Sequence, residues 1–124
     1  MCGLVGIIGK RVTDLEKKNV LNSIKHRGPN SSGIYESKDI TLIHSRLSIL
    51  DVSKKASQPM IDKSTGIVIS YNGEIYNFKE IRKNELKEFK FTSNSDTEVI
   101  LKLYIKYGSK FVKYLEGMFA IAIW

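Results

Sequence analysis

Apolar residues along this chain fall into short blocks, and the spacing inside each block predicts its element. Gly3 to Ile8 is apolar and free of charge, which predicts a strand buried on both faces. Thr13-Asp14-Leu15-Glu16 places Glu three residues after Thr, the pattern in which each side chain caps the other's backbone N–H at a helix start. The helix that follows should turn Leu15, Val20, Leu21 and Ile24 to the core. It should stop near His26, because Gly28 and Pro29 break it. His26 to Gly33 then reads as a loop. Ile34 and Tyr35 lead into a turn at Ser37-Lys38-Asp39, and a return strand runs from Ile40 to Arg46. Period-two alternation puts Leu42, His44 and Arg46 on one face of it.

Leu47 to Gly66 reads as a loop with a break at Ser57-Gln58-Pro59. Ile67 to Tyr71 is another apolar strand, running into Asn72-Gly73, the strongest short hairpin signal. Asn77 with Glu80 predicts a helix over Phe78 to Glu88. Ser95 with Glu98 predicts a second, from Asp96 to Tyr107, with Gly108 as its stop. Met118 to Trp124 is a last strand, apolar on both faces. Hairpins and helices mix without strict strand–helix–strand alternation, so the class is α+β with sheets between helices. A strand buried on both faces needs neighbours on both edges. The last strand reaches the final residue, so the chain is expected to be cut off inside a domain. It would leave an unpaired sheet edge, and complete folding of the isolated chain is not expected.

Composition narrows the function. A chain of 124 residues with 42% apolar content fits one globular domain. The single cysteine forbids an internal disulfide, and with no secretory leader it points to the cytoplasm. No apolar run approaches the roughly 20 residues of a membrane span. The net charge of +7 raises nucleic-acid binding. However, the lysines are scattered over helical segments, and no basic run alternates with aromatics, so nucleic acid is not expected as a partner.

Six positions could carry chemistry. Removal of Met1 would leave Cys2 with both a thiol and a free α-amine. An α-amine ordinarily titrates near about 7.7–8.0 and a thiol near about 8.5, so the amine can serve as base to the sulfur beside it. Taken alone, Cys2 is more simply a small apolar residue opening a strand. Asn72-Gly73 could offer a side-chain and a backbone donor to an oxyanion, although a plain turn is the stronger reading of the dipeptide. Arg46 carries a planar fork suited to a carboxylate, or a surface ion pair. Asp96 in a first helical turn, and Glu74, could grip an ammonium; simple helix-dipole placement also accounts for Asp96. His26 and His44 have no second ligand at metal spacing, so they read as structural and no metal site is expected.

The combination of motifs is far more specific than any one. Met1-Cys2-Gly3-Leu4-Val5-Gly6-Ile7 resembles the opening of class II glutamine amidotransferases. His26-Arg27-Gly28-Pro29 resembles their HRGP loop, and His44-Ser45-Arg46-Leu47-Ser48-Ile49-Leu50-Asp51 their HxRLSIxD segment. Gln58-Pro59-Met60, Asn72-Gly73-Glu74-Ile75-Tyr76-Asn77, Ser95-Asp96-Thr97-Glu98-Val99-Ile100 and Glu116-Gly117-Met118-Phe119-Ala120 match further family motifs in order. The third and fifth resemble the asparagine-synthetase type in particular. Asn30 stands where Asp is more usual, at a position with no proposed catalytic role.

The resemblance implies the four-layer αββα sandwich of N-terminal nucleophile hydrolases, incomplete at its C-terminus, with residues 1–124 as part of a type 2 glutamine amidotransferase domain. It implies Cys2 as nucleophile, and Asn72 with Gly73 as oxyanion hole. Arg46 would hold the α-carboxylate of glutamine, Asp96 and Glu74 its α-ammonium, and Leu47, Ser48, Ile49 and Leu50 would line the pocket. Glutamine hydrolysis would need no cofactor. ATP and magnesium belong to a separate synthetase domain, the partner in cis, which amidates aspartate. No phosphate loop of the G-x-x-x-x-G-K type occurs in this chain. Homodimerisation of the full-length protein is left open. The alternatives are the same domain serving another acceptor, such as a sugar acid in polysaccharide assembly, or an inactive fragment.

Overall fold

In a computed structural model that describes residues 2–124, two three-stranded antiparallel sheets lie face to face. The first has strand order β1-β3-β2, from β1 (Gly3–Ile8), β2 (Ser31–Glu36) and β3 (Ile40–Arg46). The second has order β4-β5-β6, from β4 (Met60–Ile61), β5 (Val68–Ile75) and β6 (Gly117–Ile123). Helix α1 (Asp14–Ile24) covers the outer face of the first sheet, and α3 (Asp96–Tyr107), with α2 (Phe78–Asn84) beside it, covers the second. The layers are therefore α-β-β-α.

The predicted caps form where the sequence places them for α1 and α3. Thr13 Oγ1 accepts from Glu16 N at 3.3 Å, and Glu16 Oε2 accepts from Thr13 N at 2.8 Å. Ser95 Oγ accepts from Glu98 N at 3.3 Å, but the Glu98 carboxylate instead takes Thr92 N and Ser93 N, at 2.9 and 2.7 Å, and so shapes the loop before α3. Asn77 does not cap α2. Its amide bridges to Tyr114 O and Glu116 N, at 2.9 and 3.1 Å, and ties α2 to the approach of β6.

Several sequence expectations are corrected. β1 is an edge strand rather than one buried on both faces, and Ile8 is 71% exposed. Leu15 is 68% exposed, and α1 rests on half-buried Val20, Leu21 and Ile24. Gly3 allows that close seat, since a Cβ there would come within 3.0 Å of Ile24 Cβ. β2 begins at Ser31, inside the expected loop. α2 ends at Asn84, where Lys106 Nζ takes the Glu85 carbonyl at 2.5 Å and buried Leu86 turns inward. A 3₁₀ helix over Gly108–Tyr114 was not anticipated. β6 is largely exposed rather than buried on both faces, and among the described residues it pairs with β5 alone. Finally, Asn72-Gly73 is not a turn: β5 runs through it to Ile75, in register with β6 at Asn72↔Ala120 and Gly73↔Phe119. Glycine is required there by close approach, because a Cβ on Gly73 would overlap the Met118 carbonyl oxygen.

The main core lies between the second sheet and the helices, where Ile69, Tyr71 and Ile75 meet Val99, Ile100 and Leu103. A smaller apolar cluster of Ile40, Leu42 and Val68 fills the space between the sheets. Along the inward face of β3 this space turns polar at His44, whose Nδ1 lies 3.0 Å from Ser70 Oγ, and it ends at Arg46. The shared face predicted for Leu42, His44 and Arg46 thus leads from core to site.

Burial separates two leucines that the sequence treats alike. Leu103→Ala should cost about 2–5 kcal/mol of stability in urea denaturation. Leu15→Ala should cost less than about 0.5 kcal/mol, and a cost as large as that of Leu103→Ala would restore Leu15 to the core.

Candidate active site

β1 and β3 pair with Gly3 opposite Ser45, so the start of β1 brings Cys2 to the end of β3 beside Arg46 and Leu47. Cys2 is half-buried, and its Sγ accepts from Leu47 N at 3.3 Å. Arg27 Nε donates to Cys2 O at 3.0 Å, fixing the backbone of this residue. Gly28 lies against β3 so closely that a Cβ would overlap the Ser45 carbonyl oxygen. The HRGP segment is therefore a brace behind the thiol. Its His26 is exposed. Met1, whose removal the self-base scheme needs, lies outside the described residues.

A cavity of about 210 Å³ opens beside the sulfur. Cys2, Arg46, Leu47, Ile49, Leu50, Gly73, Glu74 and Asp96 line it, joined by Asp51, Gln58, Tyr71, Ser95 and Thr97. The structure brings together residues that span nearly the whole sequence. Ser48 does not line the cavity, because its N–H donates outward to Asn30 Oδ1 at 2.9 Å. Asn30 thus supports the pocket loop, a role that its place in the sequence did not reveal. Asn72 is also off the lining. Its Oδ1 is buried without a hydrogen-bond partner among the described residues, as is His44 Nε2.

The hydrogen-bond parity of β5 decides which backbone groups face this cavity. Val68 N and Tyr76 N donate to Trp124 O and Glu116 O, at 2.8 and 2.7 Å, so even-numbered N–H groups point to β6. Tyr71 N and Ile75 N instead donate to Gln58 Oε1 and Asp96 Oδ2, at 2.6 and 3.3 Å. In an antiparallel strand alternate residues use opposite edges. The Gly73 N–H therefore leaves on the same edge as Tyr71 and Ile75, and β4 does not reach it, pairing only with Val68 and Ile69. Gln58 and Asp96 flank it, and both line the cavity.

The charged groups are held by hydrogen bonds. Asp96 is only 5% exposed and forms no ion pair among the described residues. Burial pushes its carboxyl above the ordinary range, against the pull of the Tyr71 hydroxyl, which donates to Oδ2 at 2.7 Å. An unpaired buried carboxylate is a favourable place for a cation to bind. Arg46 Nη1 donates to Ser53 O at 3.0 Å and Nη2 to Asp51 O. Its guanidinium is thus anchored by the loop that lines the cavity. Gln58, Asp51, Tyr71 and Thr97 were not singled out from the sequence as site residues. Gln58 carried one signal, its place in the Gln58-Pro59-Met60 motif.

Among the described residues no cluster of three or more His, Cys, Asp or Glu is placed to hold a metal ion, and no helix is long and apolar enough to cross a membrane.

A four-layer α-β-β-α sandwich with a thiol just ahead of its first strand, beside a cavity, has the fold of the N-terminal nucleophile hydrolases. The chain belongs to the glutamine amidotransferase domain family, whose model matches residues 1–124. It is similar to asparagine synthetase [glutamine-hydrolyzing] 2 of Oryza sativa subsp. japonica, with 40% identity over 99% of this chain and 21% of the relative. It is 41% identical to asparagine synthetase [glutamine-hydrolyzing] 1 of Arabidopsis thaliana, with the same coverage. The chain thus spans about a fifth of the length of these relatives. Among solved structures, glutamine phosphoribosylpyrophosphate amidotransferase from B. subtilis, complexed with ADP and GMP, shares the fold. Its TM-score is 0.56 at 21% identity, over 68% of this chain and 21% of that one.

His44 gives the sandwich a pH dependence. Burial, then the nearby Arg46 charge, lowers its pKa from 6.5 to about 4. Between those values the unfolded chain takes up a proton that the folded chain does not. Stability should therefore fall as pH drops from about 6.5 to about 4, by up to about 3 kcal/mol. Urea denaturation of the wild type and His44→Gln at pH 7 and 4.5 checks this. The difference isolates the ring from Asp96, whose raised pKa acts in the opposite direction. Equal pH slopes in the two proteins would refute it.

Proposed function

We propose that this chain is the glutamine-hydrolysing part of a longer asparagine synthetase, with Cys2 as nucleophile and its own α-amine as base. The observation that carries this reading is the single cavity bringing Cys2 together with Arg46 on one side and the buried, unpaired Asp96 on another. An α-amino acid presents a carboxylate and an ammonium at fixed separation. A guanidinium and a carboxylate across one small pocket complement both, and the thiol supplies the nucleophile for what hangs between them.

In this reading Arg46 binds the α-carboxylate of glutamine, Asp96 and Glu74 bind its α-ammonium, and Leu47, Ile49 and Leu50 wall the methylenes. The α-amine takes the thiol proton as Sγ attacks the amide carbon. The carbonyl electron pair moves to oxygen, and that oxyanion is met by the Gly73 N–H and the Asn72 side-chain amide. The tetrahedral intermediate collapses, the C–N bond breaks, and the amine gives its proton to the departing nitrogen as ammonia. Water then adds to the γ-glutamyl thioester, releasing glutamate and restoring the thiol. Ammonia passes to the synthetase portion of the longer protein, which uses ATP and magnesium to amidate aspartate. A cytoplasmic setting and a homodimer of the longer protein fit the same reading.

Cys2→Ala should abolish ammonia release from glutamine with the fold kept, and Asn72→Ala should lower kcat about 10²–10³-fold. Glutaminase activity that survives Cys2→Ala removes the mechanism. Arg46→Lys replaces a fork by a point charge. Steady-state kinetics should show a raised glutamine KM with a smaller change in kcat; an unchanged KM would count against Arg46 as the carboxylate clamp.

A further inference from the structure

Asp51 lies in the loop after β3 and has been given no role so far. Its two carboxylate oxygens are both engaged by backbone. Oδ1 accepts from Ser53 N at 2.8 Å, and Oδ2 accepts from Asn94 N at 2.9 Å, across a separation of 43 residues. Its carbonyl oxygen accepts from Arg46 Nη2, while the carbonyl of Ser53 accepts from Arg46 Nη1 at 3.0 Å. One residue thus holds three things. It seats the guanidinium through its own backbone and curls the loop so that Ser53 seats it too. Its side chain then ties that loop to Asn94, two positions before Asp96.

No other hydrogen bond or ion pair found among the described residues joins the loop 47–53 to the segment 92–95. The segment 92–95 has its own anchor on the other side, the buried Glu98 carboxylate, which takes Thr92 N at 2.9 Å and Ser93 N at 2.7 Å. The far end of the tie is therefore fixed to α3, the helix that carries Asp96. Asp51 also lines the cavity. Its carboxyl is held well down, to about 2, by the Ser53 and Asn94 hydrogen bonds, so the tie persists across the physiological pH range.

We propose that Asp51 is a positioning residue for amino-acid recognition: it fixes the distance between the guanidinium of Arg46 and the carboxylate of Asp96 by bridging the loop that follows Arg46 to the segment that precedes Asp96. This rests on the glutaminase reading above. The pair of groups must match one spacing, that between the α-carboxylate and α-ammonium of the substrate. Arg46 ends β3 and Asp96 opens α3, where Tyr71 and Ile75 of β5 hold its carboxylate, so the strands set the two backbones and the Asp51 bridge sets where the guanidinium is held relative to that carboxylate. Asp51 is placed to touch the clamp that holds the amino-acid end, whereas Sγ of Cys2 and the Gly73 N–H are positioned by β1, β3 and β5. Loss of the bridge should therefore weaken binding and leave bond-breaking nearly intact.

The test uses the whole chain with Asp51→Ala and Asp51→Asn. A charge-assisted hydrogen bond contributes enough that its loss should raise glutamine KM about 10–100-fold in Asp51→Ala, with kcat changed by less than about threefold. Asp51→Asn keeps one acceptor oxygen and should recover part of that loss. Alkylation of Cys2 by iodoacetamide, which has no amino-acid end, should proceed at the wild-type rate in both variants, and a cooperative urea transition shows that they are folded. Unchanged KM in both variants, or a fall in kcat and in the alkylation rate at constant KM, overturns the inference. If the wild type neither binds nor hydrolyses glutamine, the glutaminase reading fails and this inference fails with it. Wild-type activity with an unaffected Asp51→Ala sinks the inference alone.

Discussion

The parity of β5 is the constraint on which the site depends. Even-numbered N–H groups of this strand are spent on β6, so the odd-numbered ones must find partners on the other edge. β4 supplies them only at the beginning of the strand, in register with Val68 and Ile69. Beyond that point side chains take over: Gln58 receives Tyr71 N and Asp96 receives Ile75 N. Between the two lies Gly73, on an edge that opens into the cavity. A β4 that began four residues earlier, in the same register, would set Ala56 opposite Gly73, cover this N–H with a carbonyl and close the site. The short length of β4 is thus a functional feature, and the loop before it, which delivers Gln58, is what makes so short a strand tolerable.

The same strand divides the molecule's chemistry by face. Its Ile69, Tyr71 and Ile75 side chains pack on α3, while Val68 and Ser70 face the other sheet. The inner space therefore begins with aliphatic packing and passes through the His44–Ser70 pair to the guanidinium of Arg46. A neutral His44 is suited to that gradient. A charged ring there would face both desolvation and the Arg46 cation, and these two causes hold its pKa down. Tyr71 links the faces from the other side, because its ring belongs to the core while its hydroxyl holds Asp96 at 2.7 Å.

Much of this was legible because it depends on local rules. The caps at Thr13 and Ser95, the Ser37–Asp39 turn and the alternation of Leu42, His44 and Arg46 follow from short-range geometry, and they stand in the structure. Burial was less legible, since it depends on where a strand sits in its sheet. Gly3–Ile8 and Met118–Trp124 are as apolar as a central strand, yet β1 lies at an edge and β6 pairs on one side among the described residues. Asn72-Gly73 misled for a different reason. The dipeptide suits a hairpin, but here glycine answers to the crowding of the Met118 carbonyl, a contact 45 residues away that no window of sequence reveals. The residues that the ordered motifs single out line one cavity, apart from Ser48 and Asn72, but the motifs were silent on how those residues are held.

How they are held matters more than their list. Arg46 and Asp96 have opposite charges in one cavity, and neither forms an ion pair among the described residues. Had they met directly, the pair would have satisfied itself and left little for a ligand. Instead, backbone carbonyls of Asp51 and Ser53 occupy one side of the guanidinium, and Tyr71 and Ile75 donate to a single oxygen of Asp96. Hydrogen bonds from neutral groups steady each charge without neutralising it. The remaining electrostatic demand is met most fully by a zwitterion that spans the gap. Burial, which raises the carboxyl pKa of Asp96 while the site is empty, would then be offset by the ammonium itself, so that binding the substrate and ionising the carboxylate reinforce each other.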